Sequence, residues 1–267
     1  MNPSIVTLVQ GHLPLVVSIP HGGEFLPESF AQRMMPAARQ VADTDWHLAR
    51  LYDFARAMGA SIVRANYSRY VVDLNRPSNG DSLYPGQTTT GLCPTESFRG
   101  EPLYADGAAP PDTAEIAQRV AQYWQPYHEA LHGEIARLRA QRGRAGSTAE
   151  GADVEVGKPA FEQARQNAGD RMRLPEQNVP VLRDAAVAAA AASPFTWVVD
   201  DRFKGGYITR HYGQPHEGLH AVQLEMVQCL YMDESDPFAY REDRAARVLP
   251  TLETMVKKTL AALADAT

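Results

Sequence analysis

Residues able to do chemistry gather in a few short stretches of this chain. One is His128-Glu129-Ala130-Leu131-His132. On a helix, residues four apart share a face, so both imidazoles could reach one metal ion while the glutamate polarises a water. Two other stretches lie where strands should end. Ser18-Ile19-Pro20-His21-Gly22-Gly23-Glu24 puts a histidine just past an apolar run and ahead of glycines that let a ligand approach the backbone. That placement suits a metal ligand, and equally a histidine hydrogen-bonded within a turn. Asp43-Thr44-Asp45-Trp46 sets two acids at the head of a helical pattern, where the N-cap role fits Asp43 better than Asp45.

The elements that must position these residues alternate between strand and helix. Leu13 to Ile19 is an apolar run closed by Pro20 and predicts a buried strand. Trp46, Leu48, Leu51, Phe54 and Met58 recur at helical spacing, with Gly59 as the stop. Ser61 to Asn66 and Tyr70 to Leu74 read as strands. Residues 77–112, rich in Pro, Gly, Thr and Ser, read as a long irregular excursion of the kind that usually carries function. A long helix is expected at about 113–142, an Ala-rich helix at 182–192, a strand at 195–200, a strand ending near Leu224-Glu225, and a last helix at about 239–265. With no repeat and no dividing linker, the pattern predicts a single α/β domain over residues 1–267 with a central, mostly parallel sheet.

Composition narrows the partners. A net charge of -6 argues against a nucleic-acid groove, although a local pair of arginines could still hold a small anion. Cys93 and Cys229 match no metal or redox spacing and read as reduced thiols. No Lys or Arg precedes the first short apolar stretch and no apolar run approaches a membrane span, so a cytoplasmic location is expected. The oligomeric state is left open.

The long helix weakens its own metal motif. Ile116, Val120, Trp124, Tyr127, Leu131, Ile135 and Leu138 form the stripe that faces the core, and His128 and His132 flank it. A pattern with three fixed letters arises easily by chance, and no third ligand follows at zinc-metalloprotease spacing. The helix reads as structural.

The stretch Ser68-Arg69-Tyr70-Val71-Val72-Asp73-Leu74-Asn75-Arg76-Pro77 resembles the segment by which zinc carboxypeptidases hold a substrate's terminal carboxylate. As a whole the chain more closely resembles N-formylglutamate deformylases, distant relatives of those peptidases. The resemblance rests on "IPHGG", "DTDWHLARLYDFA", "SRYVVDLNRP", "TTTGLCP", "RFKGGYITRHYG" and "HAVQLEM", and it covers nearly all of residues 10–145 and 182–265. It implies a three-layer, zinc-exopeptidase-like domain with a mixed, mostly parallel sheet. It also implies metal-dependent hydrolysis of N-formyl-L-glutamate to formate and L-glutamate in histidine degradation, with a divalent metal, zinc by expectation. Under the resemblance His21 is a metal ligand and Asp45 the carboxylate ligand, with Glu24 as the second choice for that role. Glu225 is the general base, and Asn75 and Arg76 clamp a substrate carboxylate, since arginine suits bidentate recognition. Arg69, Lys204, Arg210 and His211 are candidates for the second carboxylate and the developing oxyanion. The implied partner is a small dicarboxylate amide, with neither nucleic acid nor membrane.

The chain departs from the resemblance at about 146–181. Deformylases carry an aspartate-x-histidine-serine strand after the long helix, and its histidine completes the metal site. Here the segment contains no histidine, and no His-Ser pair occurs anywhere in the chain. It reads as an irregular insertion, and Asp201 stands where glycine is expected. A site with two protein ligands would hold zinc weakly, because catalytic zinc normally takes three. A folded but catalytically impaired relative that only binds an acidic amide is therefore the alternative. The codons suggest an origin. Read backwards on the opposite strand, Met172-Arg171-Asp170 can spell His-Ser-Ile, Asn167 to Lys158 can spell Val-Leu-Pro-Arg-Leu-Phe-Glu-Gly-Arg-Leu, and Val156 to Gly151 can spell Asp-Phe-Asn-Val-Gly-Thr. These resemble what deformylases carry there. The expectation is a local DNA inversion that keeps length and frame.

Overall fold

The computed structural model describes residues 2–82, 90–144, 151–157, 171–174, 180–199 and 205–265. Seven strands form one sheet: β1 (Val6–Val9), β2 (Leu15–Ile19), β3 (Ser61–Ala65), β4 (Gly151–Gly157), β5 (Arg171–Leu174), β6 (Thr196–Val199) and β7 (Leu219–Met226). Their order is β1-β3-β2-β4-β7-β5-β6. The pairs β2–β3, β2–β4, β4–β7 and β5–β6 are parallel, whereas β1 meets β3 and β5 meets β7 antiparallel. The sheet is mixed and mostly parallel, as expected.

Helices cover both faces. Between β2 and β3 run α1 (Glu28–Ala31), α2 (Leu48–Leu51) and α3 (Asp53–Met58). Next come α4 (Thr113–Arg119), a π turn (Val120–Trp124) and α5 (Gln125–Arg144), followed by α6 (Pro180–Ala191), α7 (Tyr207–Tyr212) and α8 (Glu242–Asp265). Alternation along β2 sorts the layers. Val17 and Ile19 pack with Leu51 and Ala55, with Ala186 and Ala190 of α6, and with Val248 and Leu252 of α8. Val16 packs on the other side with Tyr127, Leu131 and Ile135 of α5. Because both faces are covered, every residue of β2 and β7 is buried, including the polar Ser18 of β2 and His220, Gln223 and Glu225 of β7.

Several expectations are corrected. Tyr70 to Leu74 forms no strand; it is a buried turn-rich segment, with Val72 and Leu74 in the cluster of Val16, Val63 and Tyr127 and Tyr70 in that of Met34 and Leu103. The helix expected at 43–58 is broken at His47, whose left-handed backbone separates Asp43 from the helix that starts at Leu48. Asp43 therefore caps nothing, and its Oδ2 accepts from the Phe98 amide at 2.8 Å. Gly59 does end α3, in the left-handed conformation that glycine adopts without strain. The described parts of 146–181 are not irregular throughout, since β4 lies at the centre of the sheet and β5 nearer its edge. The physical reason is that β2 and β7 each present a row of backbone donors and acceptors to the slot between them, and those groups require a partner strand.

Candidate active site

His21 lies just past the carboxyl end of β2, and Glu225 is the penultimate residue of β7. With β4 these are neighbouring parallel strands, so both residues sit along the same edge of the sheet, where open α/β sheets gather ligands. The Asp45 amide donates to the His21 carbonyl at 2.9 Å, which ties the acidic loop to the end of β2. Gln228 reinforces that loop by donating to Thr44 O at 2.8 Å. Gly23 has to be glycine, because a Cβ there would stand 2.1 Å from the Tyr67 carbonyl oxygen.

At the centre of the cluster is Asp73. Its Oδ1 lies 2.7 Å from His21 Nε2 and accepts from the Asn75 amide at 2.9 Å, while Oδ2 accepts from Arg69 at 2.5 Å and lies 4.0 Å from Arg76 Nε. Burial alone would raise the Asp73 pKa, but Arg69, His21 and Arg76 hold it well below the usual carboxylate range. A charged Asp73 can only accept, so His21 carries its proton on Nε2 and turns the Nδ1 lone pair the other way. That Nδ1 lies 3.7 Å from Asp45 Oδ2. Among the described residues, His21 Nδ1 and both Asp45 carboxylate oxygens are buried and have no hydrogen-bond partner. Burial and Arg69 work against protonation of His21, yet Asp73 and Asp45 together hold its pKa above the ordinary value. Buried polar atoms without partners are costly, and three facing one another mark a place built for something else. Among the described residues, no group of three or more His, Cys, Asp and Glu side chains could hold a metal.

The remaining candidates divide. Arg69 is buried against Asp73, with its guanidinium 4.4 Å from the centre of the Phe98 ring. The Arg76 side chain is 15% exposed, beside the same acid. Asn75 Oδ1 accepts from the Ile208 amide at 2.9 Å and packs so closely on Gly206 that a Cβ there would overlap its amide. Its carboxamide thus pins the start of α7. Glu225 Oε1 accepts from Gln223, whose Oε1 in turn accepts from the Gly206 amide and Thr209. Glu24 does not join His21 and Asp45 in burial; its carboxylate is half exposed, 3.5 Å from Arg64. Arg210 and His211 lie at the end of α7, where exposed His211 stacks on Tyr207. Lys204 and Asp201 lie outside the described residues.

The H-E-x-x-H helix is a different object. His128 is buried, and both of its ring nitrogens are used, Nε2 with Leu74 O at 2.9 Å and Nδ1 with the Tyr212 hydroxyl at 3.0 Å. His132 is exposed. No nitrogen of His128 remains for a metal, so the metalloprotease alternative falls. Asp73 is the residue that the sequence analysis missed. Its signal was an acid inside the apolar run YVVDL with arginines four residues before and three after it.

Comparison with known proteins points to one family. The sequence model of a family described as N-formylglutamate amidohydrolase matches residues 13–232. Curated proteins named N-formylglutamate deformylase from Pseudomonas aeruginosa and Pseudomonas putida are 42% and 41% identical over 267 residues, covering 96% of this chain and 96% of each relative. The crystal structure of an N-formylglutamate amidohydrolase from Ralstonia eutropha shares the fold, with a TM-score of 0.77 at 21% identity over 97% of this chain and 96% of that one.

Proposed function

The chain belongs to the N-formylglutamate amidohydrolase family, and we propose that it hydrolyses N-formyl-L-glutamate to formate and L-glutamate with a divalent metal, zinc, held by His21 and Asp45. The observation that carries the reading is the set of three buried, unpartnered atoms, His21 Nδ1 and the two Asp45 oxygens, at the mouth of the parallel strands. They suit a cation by chemistry, one neutral imidazole nitrogen and one carboxylate. When bound, the metal supplies Lewis acidity toward a formyl oxygen and a water.

The rest falls to the chain's own residues. Asp73 fixes the His21 tautomer and aims its lone pair, the usual service of a carboxylate behind a ligating histidine. Glu225 is the base that takes a proton from the attacking water and passes it to the amide nitrogen as the C–N bond breaks. Its burial keeps that proton from bulk water. Arg76 receives one glutamate carboxylate, and Asn75 holds the clamp's backbone in place. Arg69, Lys204, Arg210 and His211 are the candidates for the second carboxylate and the oxyanion. No helix among the described residues is long and apolar enough to cross a membrane, and we place the enzyme in the cytoplasm.

The segment at about 146–181 governs how active the chain is as written. The segment carries no histidine, and Met172-Arg171-Asp170 read backwards on the opposite strand can spell His-Ser-Ile; we therefore also propose that this segment is an inverted stretch of the gene and that the chain holds its metal weakly. Formate release from N-formyl-L-glutamate, measured with metal content on the same protein, tests the reading. Equimolar formate and glutamate, abolished by a chelator, are expected. No release even after the segment is restored to the opposite orientation overturns it.

A further inference from the structure

His128 and Trp124 have no part in the chemistry above, yet both are buried and both bond to the backbone of the clamp. His128 Nε2–H donates to the Leu74 carbonyl at 2.9 Å. Trp124 Nε1–H donates to the Arg76 carbonyl at 2.9 Å. The two carbonyls flank Asn75, so the helix grips the chain on either side of the residue that pins α7 and at Arg76 itself. The two rings stack with centroids 3.8 Å apart and act as one plate. Tyr212 braces this plate from α7, with its hydroxyl 3.0 Å from Nδ1. Leu74 O can only accept, which fixes the His128 tautomer with its proton on Nε2. The π turn at Val120–Trp124 ends at Trp124 itself, and such turns recur at functional sites.

We infer that His128 and Trp124 are positioning residues that hold the Leu74–Arg76 backbone so that the Arg76 guanidinium meets a substrate carboxylate in register. The inference rests on the reading of Arg76 as the carboxylate clamp. It gives the H-E-x-x-H helix a function in recognition without any metal. Burial drives the His128 pKa down to about 4, so at neutral pH the imidazole stays neutral and Nδ1 keeps its lone pair for the Tyr212 hydroxyl. A small displacement of a positioning group is enough to weaken binding appreciably.

The test uses the full chain with four substitutions. His128→Phe keeps the ring volume and removes the donor, whereas His128→Gln returns an amide N–H to the Nε2 position. Trp124→Phe removes only the second donor, and His132→Ala is the exposed control. Calorimetric binding of N-formyl-L-glutamate and amide hydrogen exchange over residues 73–76 are measured together. His128→Phe and Trp124→Phe should each weaken binding about tenfold and speed exchange at the Asn75 and Arg76 amides, while His128→Gln recovers most of both. If exchange quickens but even the unsubstituted protein binds no N-formyl-L-glutamate, the grip stands and the substrate reading fails. Binding and exchange both unchanged in folded His128→Phe and Trp124→Phe overturn the inference. Equal losses in His128→Gln and His128→Phe overturn it too, because packing would then be the whole effect.

Discussion

His21 and His128 are both buried, both held by a hydrogen bond to Nε2, and both part of a motif that could name a metal ligand. They differ at the other nitrogen. In His128 it meets a tyrosine hydroxyl; in His21 it lies 3.7 Å from Asp45 Oδ2 and has no hydrogen-bond partner among the described residues. Their acid–base behaviour divides accordingly, with His128 pushed down by burial and His21 held up against burial by its acids. A histidine with both nitrogens satisfied is finished architecture, whereas one left with a buried lone pair is waiting for a ligand. Spacing cannot separate the two cases, because only the folded surroundings reveal what each nitrogen touches.

The widest test of that difference adds a ligand to the His21 region. Inverting residues 146–181 end for end carries position 172, where the opposite strand can spell histidine, to position 155. Residue 155 lies in β4, opposite Ser18 of β2 and Gln223 of β7. Ser18 is three residues before His21, and Gln223 bonds Glu225. A histidine restored there would stand on the strand between the two halves of the site. The restored chain should gain formate release by orders of magnitude and retain zinc through gel filtration. A coding strand that is not the reverse complement of a deformylase segment ends the inversion idea. A restored chain with no gain ends the explanation of impairment.

Removing ligands should separate the two histidine regions almost as sharply. His21→Ala is expected to reduce metal retention on the order of a hundredfold or more, beyond what loss of an outer partner brings, while His132→Ala leaves it intact. Metal content after dialysis decides, and the reverse pattern would return the metal to the helix. Arg76→Lys should raise KM about tenfold or more and shift unfolding free energy by less than about 1 kcal/mol, since a point charge cannot replace a planar fork. Unchanged saturation would remove Arg76 from the site.

Much of this frame was readable in the residues, for reasons that also explain the misses. β2 was legible because burial on both faces favours a short apolar run, and α5 because Tyr127, Leu131 and Ile135 repeat at helical spacing. The strand ends drew attention to His21, and the roles of His21 and Glu225 came from the resemblance to deformylases. Asp73 was hidden because its partners come from the end of β2 and from its own turn, and only the fold brings them together. Tyr70 to Leu74 looked like a strand because burial of a turn-rich segment in the core leaves the same apolar mark as burial in a sheet. β4 was missed because its place is set by the demand of its neighbours' backbones rather than by its own side chains.

The pH dependence offers a finer measure of the His128 side. Its pKa in the folded chain, about 4, lies below the ordinary 6.5 because burial disfavours the charged form. Between those values the unfolded chain takes up a proton that the folded chain refuses, so stability falls as pH drops from about 6.5 to about 4. The loss attributable to this group reaches about 2 kcal/mol by pH 5. Urea midpoints measured from pH 7 to 4.5 should fall less steeply in His128→Gln than in the unsubstituted chain. Parallel slopes would mean that the imidazole is open to solvent and grips nothing.

The smallest expected effect decides which acid belongs to the His21 region. Asp45 is 1% exposed with both carboxylate oxygens bare, whereas the Glu24 side chain is 51% exposed and faces Arg64 at 3.5 Å. An exposed ion pair gains little over hydration, typically about 0–1 kcal/mol. Glu24→Gln should therefore change unfolding free energy by less than about 0.5 kcal/mol and leave metal content where it was. Asp45→Asn removes the carboxylate charge that, with His21 Nδ1, would hold the cation, and metal content should fall with it. Both follow from one argument: a ligand is recognised by what its burial leaves unsatisfied, and Glu24 is half exposed beside Arg64 whereas the Asp45 oxygens are buried with no hydrogen-bond partner among the described residues. If Glu24→Gln strips the metal while Asp45→Asn keeps it, the carboxylate ligand lies at the solvent edge, and the bare oxygens of Asp45 need another explanation.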